Sequence, residues 1–72
     1  MSKEGQFIIF CMECYKVHRA LKGKEVYELF KKYGVFEYIE SHYGVLHTTG
    51  YQYINCDIDR FLEVRNATFP HS

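Results

Sequence analysis

Apolar residues recur at intervals of three and four along most of this chain, and that period limits what it can fold into. From Gln6 to Leu21 they fall at Phe7, Phe10, Cys11, Cys14, Val17 and Leu21, with Ile8, Ile9 and Met12 widening the stripe. That spacing places them on one face of an α-helix, which cannot be stable in water until the face is covered. A first helix is predicted here, ending where Lys22 and Gly23 provide a basic last turn and a residue tolerant of the left-handed cap conformation. Glu25 opens a second pattern, Val26, Leu29, Phe30 and Tyr33, closed by Lys31, Lys32 and Gly34. Acids at its start and bases at its end agree with the helix dipole. Val35, Tyr38, Ile39 and His42 or Tyr43 repeat the spacing before Gly44, so a third short helix follows almost without a linker and forms a tight corner with the second.

Val45 to Asn55 breaks the pattern. β-branched and aromatic residues flank Gly50, which predicts a short β-hairpin turning near Thr49-Gly50 or an irregular loop. Asn55 or Asp57 then caps a last helix burying Ile58, Phe61 and Leu62 and running to about Arg65. The fold class expected is mainly α, a small bundle of about four helices, with room for one β-hairpin between the third and fourth. Residues 1–72 make a single domain, and 66–72 read as a frayed tail.

Seventy-two residues bury only about 62% of the extended chain's surface on folding, so the core is marginal. Three cysteines cannot all pair within one chain, which argues for thiols in a reducing compartment. No apolar run approaches the roughly 18 residues of a membrane span. The opening Met1-Ser2-Lys3-Glu4 leads into a segment broken by Glu13 and Lys16, unlike a secretory signal, so a cytoplasmic protein without membrane contact is expected.

Nine basic and nine acidic residues cancel, so no global field draws the chain to nucleic acid or anionic lipid. The cancellation is uneven: residues 1–32 hold seven positive groups against four negative, and residues 33–72 hold two against five. The best basic stripe, Lys16, Arg19, Lys22 and Lys24 at the end of the first helix, is the candidate nucleic-acid contact. Interleaved Glu13, Glu25 and Glu28 favour reading it as a solvated surface. Cys11, Cys14 and His18 share one helical face, and Cys56 or His47 can complete a set of four ligands. Structural zinc pairs sit on turns rather than inside a helical stripe, and no second close cysteine pair exists, so neither metal nor cofactor is expected. No nucleophile elbow or phosphate-cradling glycine loop is present, and a helical domain of this size seldom encloses a substrate, so no enzyme is expected.

Thirteen Phe and Tyr are more than so small a core can hide. Tyr33, Tyr38 and Tyr43 recur at fives through the corner and cannot all face one way. At least one is expected to be exposed, and with His47 they form the candidate protein interface.

The segments Gly23-Lys24-Glu25-Val26-Tyr27-Glu28-Leu29-Phe30, Tyr33-Gly34-Val35-Phe36-Glu37-Tyr38-Ile39, Tyr43-Gly44-Val45-Leu46-His47-Thr48-Thr49-Gly50 and Asp57-Ile58-Asp59 together resemble a family of short bacterial proteins of unknown function. The resemblance covers roughly residues 6 to 65. It implies a small helical protein, often encoded beside one resembling ADP-ribosyltransferase toxins, and hence a toxin–antitoxin or neighbouring-partner role. The expected function is a noncatalytic protein-interaction module, with the adjacent gene product or a second copy as partner. The alternative is a nucleic-acid-associated regulator using the basic end of the first helix.

Overall fold

In the computed structural model, which describes residues 2–69, five helices follow one another: α1 (Lys3–Arg19), α2 (Gly23–Tyr33), α3 (Val35–Ser41), α4 (Tyr43–Leu46) and α5 (Tyr51–Val64). Ser2 caps α1, its hydroxyl accepting the Gly5 N–H at 3.0 Å, so one otherwise unpaired donor of the first turn is satisfied. The helix stops at Ala20, which takes the left-handed conformation at φ 54°. The stop comes before Gly23, which instead begins α2. Glu25 reaches back to the Lys22 N–H at 2.8 Å and secures that start. Gly34, at φ 75°, ends α2 and turns the chain directly into α3, a backbone state that glycine adopts without a Cβ clash.

The β-hairpin is not formed, and no strand occurs among the described residues. The Thr48 and Thr49 hydroxyls both donate to the Val45 carbonyl at 2.9 Å and continue the turn that ends α4. Gly50, in an extended conformation, then precedes α5. Ile54, Ile58 and Leu62, spaced by fours, are all buried along α5. Burial of that stripe overrides the strand preference of Tyr51, Tyr53 and Ile54, because β propensity largely measures fit to a half-buried sheet surface. Asn55 and Asp57 accordingly lie inside the helix rather than at its cap. The expected third helix is α3, and the single turn α4 follows it across Gly44 into the stretch expected as hairpin or loop, which gives five helices in place of about four.

α1 lies across α2, α3 and α5, and one cluster of buried side chains joins them. Tyr15, Phe30, Ile39, Ile54, Ile58 and Leu62 are its largest fully buried members. Phe30 packs at 5.4 Å from Tyr15 and 5.7 Å from Phe36, centroid to centroid. Of the stretch read as a frayed tail, residues 70–72 lie outside the described residues. Ala67 and Phe69 lie against the core, and the Arg19 guanidinium sits 4.2 Å above the Phe69 ring. No helix of the described residues is long and apolar enough to cross a membrane.

Candidate functional site

Where α1 meets α5, three side chains from the C-terminal end of α1 converge on Asp59. The buried Tyr15 hydroxyl donates to its Oδ1 at 2.6 Å, His18 Nε2 approaches Oδ2 at 2.7 Å, and Arg19 donates from Nε at 3.0 Å. Arg19 Nη2 adds a second contact at 3.0 Å. Burial works to raise the Asp59 carboxyl, but the Tyr15 and His18 hydrogen bonds and the Arg19 charge outweigh it and hold the group below its ordinary value. The Tyr15 phenol is pushed up, first by burial and then by its bond to the carboxylate. A carboxylate that accepts so many hydrogen bonds is a weak base, and its evident work is to clamp α1 to α5 through residues 40 or more positions apart in sequence.

Beside this clamp a groove of about 620 Å³ runs between α1 and α5. Phe10, Cys14 and Val17 line it from α1, and Tyr51, Asn55 and Cys56 from α5; Glu13, His18 and Gln52 supply the remaining polar lining. Phe10, Val17 and Tyr51 are 47%, 79% and 54% exposed. An apolar face this open on a small domain marks a binding surface more often than chance. Asn55 is only 5% exposed, and its amide oxygen has no hydrogen-bond partner. A buried, unpaired amide oxygen destabilises the chain. Burial, then the nearby Glu13 charge, push the Cys14 thiol up, away from the reactive thiolate.

Residues 6–65 match the family described as "Protein of unknown function (DUF3791)". The chain belongs to the DUF3791 family. No curated protein and no solved structure matches it.

The residues singled out from the DUF3791 sequence are spread over the fold rather than gathered at the groove. Of the basic stripe, Lys16 pairs with Glu13 at 3.1 Å and Arg19 is taken up by Asp59, while Lys22 and Lys24 are exposed around the start of α2. The expectation that one of Tyr33, Tyr38 and Tyr43 would be exposed is corrected: all three are half-buried. Tyr33 accepts the Thr68 N–H at 3.3 Å, Tyr38 donates to Asp57, and Tyr43 packs edge-on against Phe7 at 5.4 Å. Each ring is taken up by a different neighbour, Tyr33 by the segment after α5, Tyr38 by α5 and Tyr43 by α1, so the three do not form one surface. His47 is exposed, bonded through Nδ1 to the Tyr43 carbonyl at 2.6 Å and stacked on the Tyr43 ring.

Cys11 faces the core, where burial and the nearby Cys14 push its thiol up to about 12, so it does not share an open face with Cys14 and His18. No group of three or more His, Cys, Asp or Glu side chains among the described residues is arranged to hold a metal ion. Asp59, Asn55 and the groove were missed in the sequence. Their one readable signal was Phe10, Cys14 and Val17 lying to one side of the α1 stripe, farther round than Cys11 and Tyr15 need for burial.

Proposed function

We propose that this DUF3791 protein is a noncatalytic protein-interaction module that docks a partner protein in the groove between α1 and α5. The observation that carries the reading is the apolar lining of that groove, with Phe10, Val17 and Tyr51 left open to solvent. Large apolar side chains gathered along one groove match the layout of interface hot spots, from which water is excluded on binding. The family resemblance adds the finer reading, the small partner or antitoxin-like member of a bacterial gene pair. Three free cysteines suit a cytoplasmic setting, where thiols stay reduced. The nucleic-acid alternative is weakened by the pairing of Lys16 and Arg19 with acids, which reduces the four-residue stripe to Lys22 and Lys24.

Capture from nuclease-treated native lysate at high salt tests the reading. The wild-type chain is expected to retain one protein in stoichiometric amount, and Val17→Glu, folded by circular dichroism, is expected to lose it. Retention of nucleic acid alone, released by salt and by Lys22→Ala with Lys24→Ala, sinks the docking reading.

A further inference from the structure

The α1–α5 groove carries two of the three free cysteines, one on each wall. The order of side chains along it fixes how the two helices run. Phe10 from the middle of α1 shares the groove with Tyr51 and Gln52 from the start of α5, and farther along both helices His18 and Arg19 meet Asp59. α1 and α5 are therefore parallel here, and the side chains that touch across them are 40 to 44 positions apart. Cys14 and Cys56, 42 positions apart, fall in the same register. Cys14 lies four residues before His18 and Cys56 three residues before Asp59, so each shares a helix face with a member of the clamp and sits one turn before it.

From this juxtaposition we infer that Cys14 and Cys56 are a redox pair: oxidation joins them in a disulfide that ties α1 to α5 across the groove, and reduction opens it again. The axes of packed helices lie about 8–10 Å apart and each Cα about 2.3 Å off its axis, so facing residues come within the roughly 4.4–6.8 Å between Cα atoms that a disulfide spans. Both thiols line the groove, so the bond narrows it beside the Asp59 clamp, which serves as the fixed end. Cys11 does not compete, because it is fully buried among the core side chains.

The two thiols divide the chemistry between them. Cys56 is exposed, so a dissolved oxidant reaches it first. With a small-molecule disulfide such as oxidised glutathione, the Cys56 thiolate attacks one sulfur, the glutathione S–S bond breaks, and the departing thiolate takes up the proton that Cys56 released. Cys14 is half-buried, and burial with the nearby Glu13 charge keeps it protonated, which suits the second, intramolecular step, where proximity offsets a small thiolate fraction. Its sulfur attacks Cys56 Sγ, the mixed disulfide breaks, and the second glutathione leaves with the proton from Cys14. Two protein thiols are oxidised by two electrons, and one glutathione disulfide is reduced to two thiols.

Equilibration of the dilute full chain with mixtures of reduced and oxidised glutathione, quenched in acid, tests the inference. Reactive thiols are expected to fall from three to one, with the chain still monomeric on a non-reducing gel. Cleavage after Glu13 separates Cys11 from Cys14, and the fragment carrying Cys14 is expected to remain linked to the one carrying Cys56. Cys14→Ser and Cys56→Ser, each folded by circular dichroism, are expected to abolish the link. The thermal midpoint of the oxidised chain is expected to rise by at least about 8 °C and to return on reduction. Three thiols still reactive in excess oxidised glutathione, a lasting glutathione adduct on Cys56 beside a free Cys14, a link through Cys11, or a cross-link between chains overturns the inference. Closure of a docking site rests on the reading above, and lysate capture tests it separately: the oxidised chain is expected to lose the retained protein and to regain it on reduction. A disulfide that forms while neither redox form captures a protein overturns the docking reading and leaves the redox pair standing; capture by a chain that forms no disulfide overturns the redox pair alone.

Discussion

Replacing Asp59 with alanine removes the acceptor shared by Tyr15, His18 and Arg19, and the resulting loss can be assigned side chain by side chain. Tyr15 is fully buried, so its hydroxyl is left without a partner in the core, at about 1–3 kcal/mol. The His18 and Arg19 side chains are 33% and 39% exposed; water screens them, and each adds roughly 0–1 kcal/mol. The total, about 1–5 kcal/mol, is a large share of the roughly 4–11 kcal/mol that a chain of this length commands. Urea unfolding followed by circular dichroism reads it directly. The thermal midpoint is expected to fall by about 4–8 °C for each 1 kcal/mol lost in a domain of this size.

Tyr15→Phe separates the clamp from a general loosening. It is expected to destabilise the wild-type chain by about 1 kcal/mol and the Asp59→Ala chain by much less, a coupling that a double-mutant cycle isolates. Acid adds a second reading. The folded-state Asp59 carboxyl is held below its ordinary value, so its contribution is fully present above that ordinary value, about 3.9, and is lost as pH falls through the lowered one. Asp59→Asn therefore flattens the acid limb of the stability profile. A change of less than about 0.5 kcal/mol on Asp59→Ala, or an equal Tyr15→Phe effect in both backgrounds, refutes the clamp.

Four further outcomes are expected. Ile58→Ala, at a fully buried site, is expected to remove about 2–5 kcal/mol and to leave the chain partly unfolded at 37 °C by circular dichroism. Gly34→Ala is expected to cost about 1–2 kcal/mol by urea titration; the nearest atom to an added Cβ is Glu37 Oε2 at 3.7 Å, so the loss comes from the φ of 75° rather than from a clash. Asn55→Leu is expected to raise the thermal midpoint of the dilute chain, because it removes a buried amide oxygen without a partner; a lower midpoint contradicts that reading of the groove floor. Burial and the Asp57 hydrogen bond raise the Tyr38 phenol to about 12; its contribution is present below the ordinary tyrosine value of about 10 and lost as pH rises through the raised one, so Tyr38→Phe is expected to make the alkaline loss of stability shallower in denaturation measured at successive pH values.

Periodicity made α1, α2 and α3 legible because each carries its own apolar stripe and its own end signals, with Lys31, Lys32 and Gly34 closing α2 where the dipole rule places them. The start of α5 was hidden. Tyr51, Tyr53 and Ile54 look like a strand until Ile54 is counted with Ile58 and Leu62, and only packing against α1 shows that this count is the one that matters. The stop of α1 was also obscured, because Ala20 adopts the left-handed state that the sequence would assign to glycine.

The site was less legible than the fold for the same reason. Asp59 and its three donors are at least 40 residues apart, and the groove exists only because α1 and α5 lie side by side. The tyrosine trio shares a spacing in the sequence, yet its rings pack half-buried against the segment after α5, α5 and α1 in turn, while the exposed aromatic rings include Phe10, Tyr27, Tyr51 and Tyr53. Aromatic content alone does not say which rings the core will claim.

The central claim, that the α1–α5 groove is a docking surface, is tested most directly by amide chemical shifts of the labelled chain titrated with the protein it retains from lysate. The account expects saturable shifts centred on Phe10, Cys14, Val17 and Tyr51, the residues that line the groove. Spectra that stay unchanged, or shifts centred on Lys22 and Lys24 or on Tyr33, contradict it.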